Sequence, residues 1–127
     1  MAHAAQLLIV ADDNADMRWL VRAALRDRFA EIIEAEDGRR LFWELVKCTK
    51  TRSASEVVVV TDIRMPVYSG LDVLAIYDEL DFRPPTVVIT SFPSKEVTAA
   101  VDRAGARLLA KPFATSELRK AVDACRQ

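Results

Sequence analysis

The chain has 127 residues, of which 51% are hydrophobic and 29% are charged, and its formal net charge at pH 7 is −1. These values predict a single globular domain over residues 1–127. A net charge near zero gives no indication of binding to nucleic acid or to an anionic membrane, which requires an excess of positive charge. No apolar run approaches the roughly 18 residues of a membrane span, and residues 1–6 lack the features of a signal peptide, so we expect a cytoplasmic protein.

Strand-like and helix-like segments alternate five times along the chain. The predicted strands are residues 6–11, 31–36, 57–61, 86–89 and 106–110. Apolar residues at helical spacing predict helices over about residues 15–28, 38–50, 70–80, 95–104 and 115–125. Side chains suited to capping precede four of these helices, and they are Asn14, Asp37, Ser69 and Ser94. Gly105 follows the fourth helix, where a glycine commonly ends one.

The third predicted strand is the run Val57-Val58-Val59-Val60-Thr61, which no charged residue interrupts. A continuous β-branched run of this kind is typical of a central parallel strand that is covered on both faces. Five successive βα units predict an open parallel sheet with helices on both sides, joined by right-handed crossovers. In such sheets, ligands bind beyond the carboxyl ends of the strands.

Polar side chains follow four of the five strands at the point where each strand ends. Asp12 and Asp13 follow the first strand, Asp62 the third, Thr90 the fourth and Lys111 the fifth. Each has an ordinary explanation by itself, such as a helix cap, a strand terminator or a solvated lysine. Their joint appearance at successive strand ends instead predicts one cluster at a single edge of the sheet.

Three clustered carboxylates require a cation. Two carboxylates about 4 Å apart repel by roughly 4 kcal/mol at an effective dielectric constant near 20, and the repulsion raises their pKa values unless a cation intervenes. Mg²⁺ favours one or two carboxylates together with a phosphate oxygen. One carboxylate can then act as a nucleophile and form an acyl phosphate, while Lys111 supplies a second positive charge and Thr90 a hydroxyl.

These residues resemble the receiver domain of two-component response regulators, the CheY-like family. The resemblance rests on a motif set that covers almost the whole chain: Asp12-Asp13, Asp62 with Met65-Pro66 and Gly70, Thr90-Ser91, and Lys111-Pro112-Phe113. It implies an α/β fold of the flavodoxin-like (βα)5 type, which is a doubly wound, five-stranded parallel sheet of order 2-1-3-4-5.

The resemblance also implies a role for each motif residue. Asp62 would be the phosphoacceptor, and Asp12, Asp13, Asp62 and the backbone carbonyl of Arg64 would hold Mg²⁺. Thr90 and Lys111 would contact the phosphoryl group, and the Lys111–Pro112 peptide bond would be cis. The protein would catalyse only its own phosphorylation and dephosphorylation, and would not be an enzyme in the usual sense.

The partners implied by the resemblance are proteins. The phosphoryl donor would be a phosphohistidine on a sensor histidine kinase or a phosphotransfer protein. The recipient of the signal would be an output domain or a downstream protein, with no direct contact to nucleic acid or membrane. The family also allows a homodimer, formed through the surface of the fourth helix, fifth strand and fifth helix.

Some positions depart from the family pattern or stand out from their surroundings. Leu108 occupies the place of a common Tyr or Phe, so the usual aromatic switch is absent. Arg64 and Phe92 lie two residues beyond Asp62 and Thr90, where we expect them to affect the lifetime of the phosphoryl group. Trp19 and Trp43 fall outside the apolar stripes of their helices, which predicts exposure or contact with a partner.

Other functions stay open on the sequence alone. A receiver-like interaction module that no longer needs phosphate is compatible with Leu108, although the intact acidic set argues against it. A magnesium-dependent phosphohydrolase would need an acidic residue two positions after the nucleophile, where this chain has Arg64. A flavin-binding protein is disfavoured because no phosphate-cradling loop follows the first strand.

Overall fold

The computed structural model describes residues 6–126. Its strands are β1 (Leu7–Ala11), β2 (Glu31–Ala35), β3 (Val57–Asp62), β4 (Thr86–Thr90) and β5 (Arg107–Ala110). Its helices are α1 (Ala15–Leu25), α2 (Gly38–Thr51), α3 (Gly70–Ala75), α4 (Tyr77–Leu80), α5 (Lys95–Arg103) and α6 (Thr115–Cys125). The expectations for residues 1–5, including the absence of a signal peptide, lie outside the described residues.

All four strand pairings are parallel, and the strand order is β2-β1-β3-β4-β5. This arrangement confirms the predicted flavodoxin-like fold of order 2-1-3-4-5. Between residues 6 and 126, no helix is long and apolar enough to cross a membrane.

The sheet separates two hydrophobic cores. Alternate residues of β3 face opposite sides, so that Val57 and Val59 belong to one core while Val58 and Val60 belong to the other. All four valines are at most 1% exposed. The predicted double coverage of this strand is therefore confirmed, and it is the reason a run of valines without polar interruption is stable here.

The predicted caps begin their helices as expected. Each cap accepts a hydrogen bond from the backbone N–H of the third residue of its helix, and the four pairs are Asn14 with Met17, Asp37 with Arg40, Ser69 with Asp72 and Ser94 with Val97. The Asp72 carboxylate in turn accepts a hydrogen bond from the Ser69 N–H, which completes a capping box. Gly105, at φ 73°, follows α5 as predicted.

Two predicted helices differ from the structure. Helix α1 ends at Leu25 and not at Arg28, because the chain turns there and the Arg28 N–H bonds to the Leu25 carbonyl. The single helix predicted to run to about Leu80 is divided into α3 and α4 at Ile76, whose N–H bonds to Val73, three residues back. Tyr77 then enters the core, where its hydroxyl pairs with the Thr86 hydroxyl at 2.9 Å.

Candidate functional site

Parallel pairing aligns the carboxyl ends of the strands. Ala11 pairs with Thr61, so Asp12 and Asp62 follow neighbouring positions on β1 and β3. Thr90 pairs with Ala110, so Lys111 follows directly beside it. The predicted clustering of these side chains at one edge of the sheet is thus what the structure shows.

The three predicted metal-binding aspartates lie together. Asp12, Asp13 and Asp62 each offer a carboxylate oxygen, and these atoms all lie within 4.8 Å of one another. Asp12 and Asp62 are buried, at 2% and 8% exposure, whereas Asp13 is exposed. The cluster therefore has a buried floor and one side open to solvent.

Asp12 provides the test of whether this cluster suits a cation. Its Oδ1 accepts the Asn14 N–H at 2.9 Å, but its Oδ2 is buried and has no hydrogen-bond partner among residues 6–126. Burial raises the pKa of Asp12 from 3.8 to about 6, and the negative charge of Asp62 adds to this, against the opposing effect of the Asn14 N–H. A buried, unpartnered carboxylate oxygen beside two other carboxylates fits the oxygen preference of Mg²⁺.

Lys111 approaches the cluster from β5. Its Nζ lies 3.1 Å from Asp62 Oδ2 and 4.0 Å from Asp12 Oδ2. The other oxygen of Asp62 accepts the backbone N–H of Arg64 at 3.2 Å. Both oxygens of Asp62 are therefore oriented by hydrogen bonds, and one cation already lies against it.

Thr90 is buried at the end of β4, with 3% of its surface exposed. Its hydroxyl oxygen accepts the Phe92 N–H at 3.1 Å, which leaves the hydroxyl proton available for donation. The Lys111 N–H bonds to the Thr90 carbonyl at 2.8 Å, and the Lys111–Pro112 peptide bond is cis. The backbone thus holds the hydroxyl-bearing and ammonium-bearing residues side by side.

The loop between β3 and α3 has two tightly constrained positions. A Cβ added to Gly70 would lie 2.6 Å from the backbone oxygen of Asp62, so only glycine allows α3 to begin this close to the site. Val67 has φ 71°, and the Tyr68 N–H bonds to the Pro66 carbonyl at 2.9 Å. This is a γ-turn whose centre is a β-branched residue in the left-handed region, which is a strained conformation.

Arg64 and Phe92 are paired with each other. The Arg64 guanidinium lies over the Phe92 ring, 5.3 Å from its centroid, and both side chains are exposed. The sequence predicted that both residues affect the lifetime of the phosphoryl group, but it did not predict their contact with each other. Their equal spacing, two residues past adjacent strand ends, was the signal that could have predicted the pairing.

Leu108, in β5, is half-buried and packs against the same core as Val101, so an aliphatic side chain occupies this position.

Cys48 and Cys125 are both free thiols. Neither cysteine belongs to the site.

A comparison with protein families matches residues 8–123 to the model described as the response regulator receiver domain. Chemotaxis protein CheY1 of Helicobacter pylori is 29% identical over 120 residues, which cover 91% of this chain and 93% of CheY1. Transcriptional regulatory protein PdtaR of Mycobacterium tuberculosis is 30% identical, and PrrA of Mycobacterium leprae is 32% identical. The alignments cover 91% and 92% of this chain but only 54% and 48% of those two regulators.

Solved structures agree with the observed fold. CheY4 of Vibrio cholerae is 27% identical, with a TM-score of 0.76 over 94% of this chain and 98% of CheY4. The receiver domain of the Francisella response regulator 1452 superposes with a TM-score of 0.78 over 95% of this chain and 96% of that domain. At 22% identity, the second likeness supports the fold alone.

Proposed function

The chain belongs to the response regulator receiver domain family, and we propose that it accepts a phosphoryl group from a phosphohistidine onto Asp62, with Mg²⁺ bound at the acidic cluster. Receiver domains are signalling modules of two-component systems. The observation that carries the proposal is the convergence on Asp62, where Lys111 Nζ lies 3.1 Å from Oδ2 within a cluster of three carboxylates.

In the proposed reaction, an Asp62 carboxylate oxygen forms a bond to phosphorus as the phosphorus–nitrogen bond of the phosphohistidine breaks. The bonding pair returns to the imidazole nitrogen, and Asp62 becomes a mixed anhydride. The Asp62 carboxylate loses its negative charge when the anhydride forms. The Lys111 ammonium is then attracted to the negatively charged phosphoryl oxygens instead. Lys111 is close enough to follow with a small movement of its side chain.

Asp12, Asp13, Asp62 and the backbone carbonyl of Arg64 are the proposed magnesium ligands. When bound, Mg²⁺ would neutralise the carboxylates and the phosphoryl oxygens of the incoming donor. The unpartnered Oδ2 of Asp12 supports this assignment, since a buried acceptor without a hydrogen bond is costly unless a ligand completes it.

Thr90 is the proposed link between chemistry and conformation. Its hydroxyl can donate a hydrogen bond to a phosphoryl oxygen. Thr90 is also the last residue of β4, so it joins the site to the β4–α5 loop. Donation of this kind would favour one of two pre-existing conformers and thereby change contacts with an output domain or partner protein. A sensor histidine kinase or phosphotransfer protein is the proposed donor, in a cytoplasmic setting, with residues 1–127 acting as one domain.

The direct test is phosphorylation of the protein by acetyl phosphate, followed by intact-mass measurement. Wild type with Mg²⁺ should gain one phosphoryl group, and Asp62→Asn should gain none. Asp16→Asn, which changes an exposed aspartate of α1, is the matched control and should behave as wild type. Modification of Asp62→Asn at the wild-type rate would refute the assignment of Asp62.

Two further conditions separate the alternatives. Chelation of Mg²⁺ should abolish the mass gain, and a conformational response to beryllofluoride should require the metal. An interaction module that is independent of phosphate would show neither effect. Sustained release of phosphate from unrelated phosphoesters would instead indicate a phosphohydrolase.

A further inference from the structure

Helix α2 exposes a tryptophan within a basic surface. Trp43 is 58% exposed, and Arg39, Lys47 and Lys50 lie on the same helical face at positions i−4, i+4 and i+7. Lys47 pairs with Glu44 at 3.2 Å. Arg39 and Lys50 have no carboxylate partner within residues 6–126, so the rim of this face carries uncompensated positive charge.

The groove between α2 and the α3–α4 segment differs from this basic surface, because its lining is mostly apolar and its charged residues are acidic. It is a cavity of about 160 Å³ lined by Phe42, Tyr68, Asp72, Val73, Ile76 and Glu79. The rings of Phe42 and Tyr68 form an aromatic wall, with centroids 6.3 Å apart and planes tilted by 57°. The walls are thus mostly apolar, and the charged residues among the lining are acidic.

Only one of those carboxylates is engaged within the described part of the chain. Asp72 Oδ2 accepts the Ser69 N–H at 2.9 Å, whereas Glu79 is exposed and has no cationic partner among residues 6–126. The groove can therefore accept an apolar group accompanied by positive charge. Such a group is present on the neighbouring face of the same helix.

We propose that two copies of this chain associate through this surface, with Trp43 of each copy seated in the α2–α3 groove of the other. Arg39 and Lys50 of one copy would then face Asp72 and Glu79 of the second copy. Because one helix carries both the protruding residue and a wall of its receptor, a two-fold axis can satisfy both contacts at once. Tryptophan is enriched at interface hot spots, and the rim of an interface is usually polar.

This surface is distinct from the α5–β5–α6 surface expected for homodimers of the family. Its formation does not require phosphorylation, since none of its residues belongs to the acidic cluster. The chain's net charge of −1 imposes little general repulsion between copies. The basic residues around Trp43 and the acidic residues of the groove carry opposite charges, which favours a second copy of this chain over an unrelated partner.

The test combines analytical ultracentrifugation with fluorescence of the full chain. The chain has two tryptophans, so Trp19→Phe leaves Trp43 as the only indole. As protein concentration rises, this variant should sediment as a dimer, and its emission maximum should move to shorter wavelength over the same range. Asp62→Asn should dimerise equally well, so this result is independent of the phosphorylation chemistry.

Trp43→Ala and Glu79→Lys should each weaken the dimer about tenfold or more, because truncation of a hot-spot residue typically has at least this effect. Trp19→Ala is the matched control, since Trp19 is 69% exposed on α1, and its dimer should be unchanged. A mixture of Trp43→Ala with Glu79→Lys should dimerise better than either variant alone, because one complete contact is restored. A monomer at every concentration, or a dimer unaffected by Trp43→Ala, would overturn the proposal.

Discussion

Replacement of Asp12 by asparagine should stabilise the magnesium-free protein at neutral pH. The wild-type carboxylate is 2% exposed, its Oδ2 has no hydrogen-bond partner in the described part of the chain, and Asp62 and Asp13 lie close by. Asparagine removes the charge but keeps an oxygen that can accept the Asn14 N–H, which Asp12 Oδ1 accepts at 2.9 Å. The change therefore removes the desolvation and repulsion while retaining the local turn.

The magnitude follows from the pKa of Asp12, which burial raises from 3.8 to about 6. A change of about 2 in the pKa corresponds to roughly 3 kcal/mol of lost stability when the carboxylate is ionised. Asp12→Asn removes this loss and should therefore raise the free energy of unfolding by about 2 to 3 kcal/mol at pH 7.5. Because the folded protein binds this proton more tightly than the unfolded chain, wild-type stability rises as pH falls from above 6 towards 4. The advantage of the variant should shrink across that window.

Urea denaturation with a chelator, at pH 7.5 and pH 5, measures both effects. Asp16→Asn, which neutralises an exposed aspartate of α1, controls for the change in net charge. Saturating Mg²⁺ should stabilise wild type more than Asp12→Asn, because a ligand that binds the folded state adds to its stability. Equal stability of the two proteins at pH 7.5, or a gain as large at pH 5, would refute the reasoning.

Four further substitutions test the surroundings of Asp62. Arg64→Ala and Phe92→Ala should each shorten the lifetime of the acyl phosphate by about two- to fivefold, because an exposed cation–π contact is worth about 0.5–1 kcal/mol; unchanged hydrolysis rates would contradict this. Val67→Gly should raise the urea midpoint and stabilise the protein by about 1 kcal/mol, since relief of the left-handed backbone exceeds the added chain entropy; a lower midpoint would argue against strain. Gly70→Ala should destabilise by about 1–3 kcal/mol and slow phosphorylation, because its Cβ would meet the Asp62 backbone oxygen; wild-type values for both would show that α3 can shift freely.

Much of this site can be predicted from the sequence because parallel strands end together. Asp12, Asp62, Thr90 and Lys111 each follow an apolar run, and the pairing of those runs puts the four residues at one edge. The valine run predicted a strand covered on both faces, because burial on both faces requires apolar residues at every position. The caps could also be predicted from the sequence, because each of their hydrogen bonds joins residues only three positions apart.

Other features depend on contacts between distant segments. The break between α3 and α4 at Ile76 accompanies the insertion of Tyr77 into the core, and helical periodicity gave no sign of it. The sequence also gave no sign that Asp12 Oδ2 is buried without a hydrogen-bond partner among the described residues. The direction of its pKa shift was expected, but its main cause, burial, could be identified only from the packed structure.

The sequence by itself determined the order of elements, the central strand and the residue types at the strand ends, because periodicity and capping are local consequences of backbone geometry. Only the tertiary structure decided that Arg64 lies over Phe92 and that Lys111 contacts Asp62 more closely than Asp12. It also decided that the exposed Trp43 lies on the same helix as a mostly apolar groove with two acidic lining residues. These relations join side chains from separate loops and helices. Their geometry is set by the packing of the two cores, which no short stretch of sequence encodes.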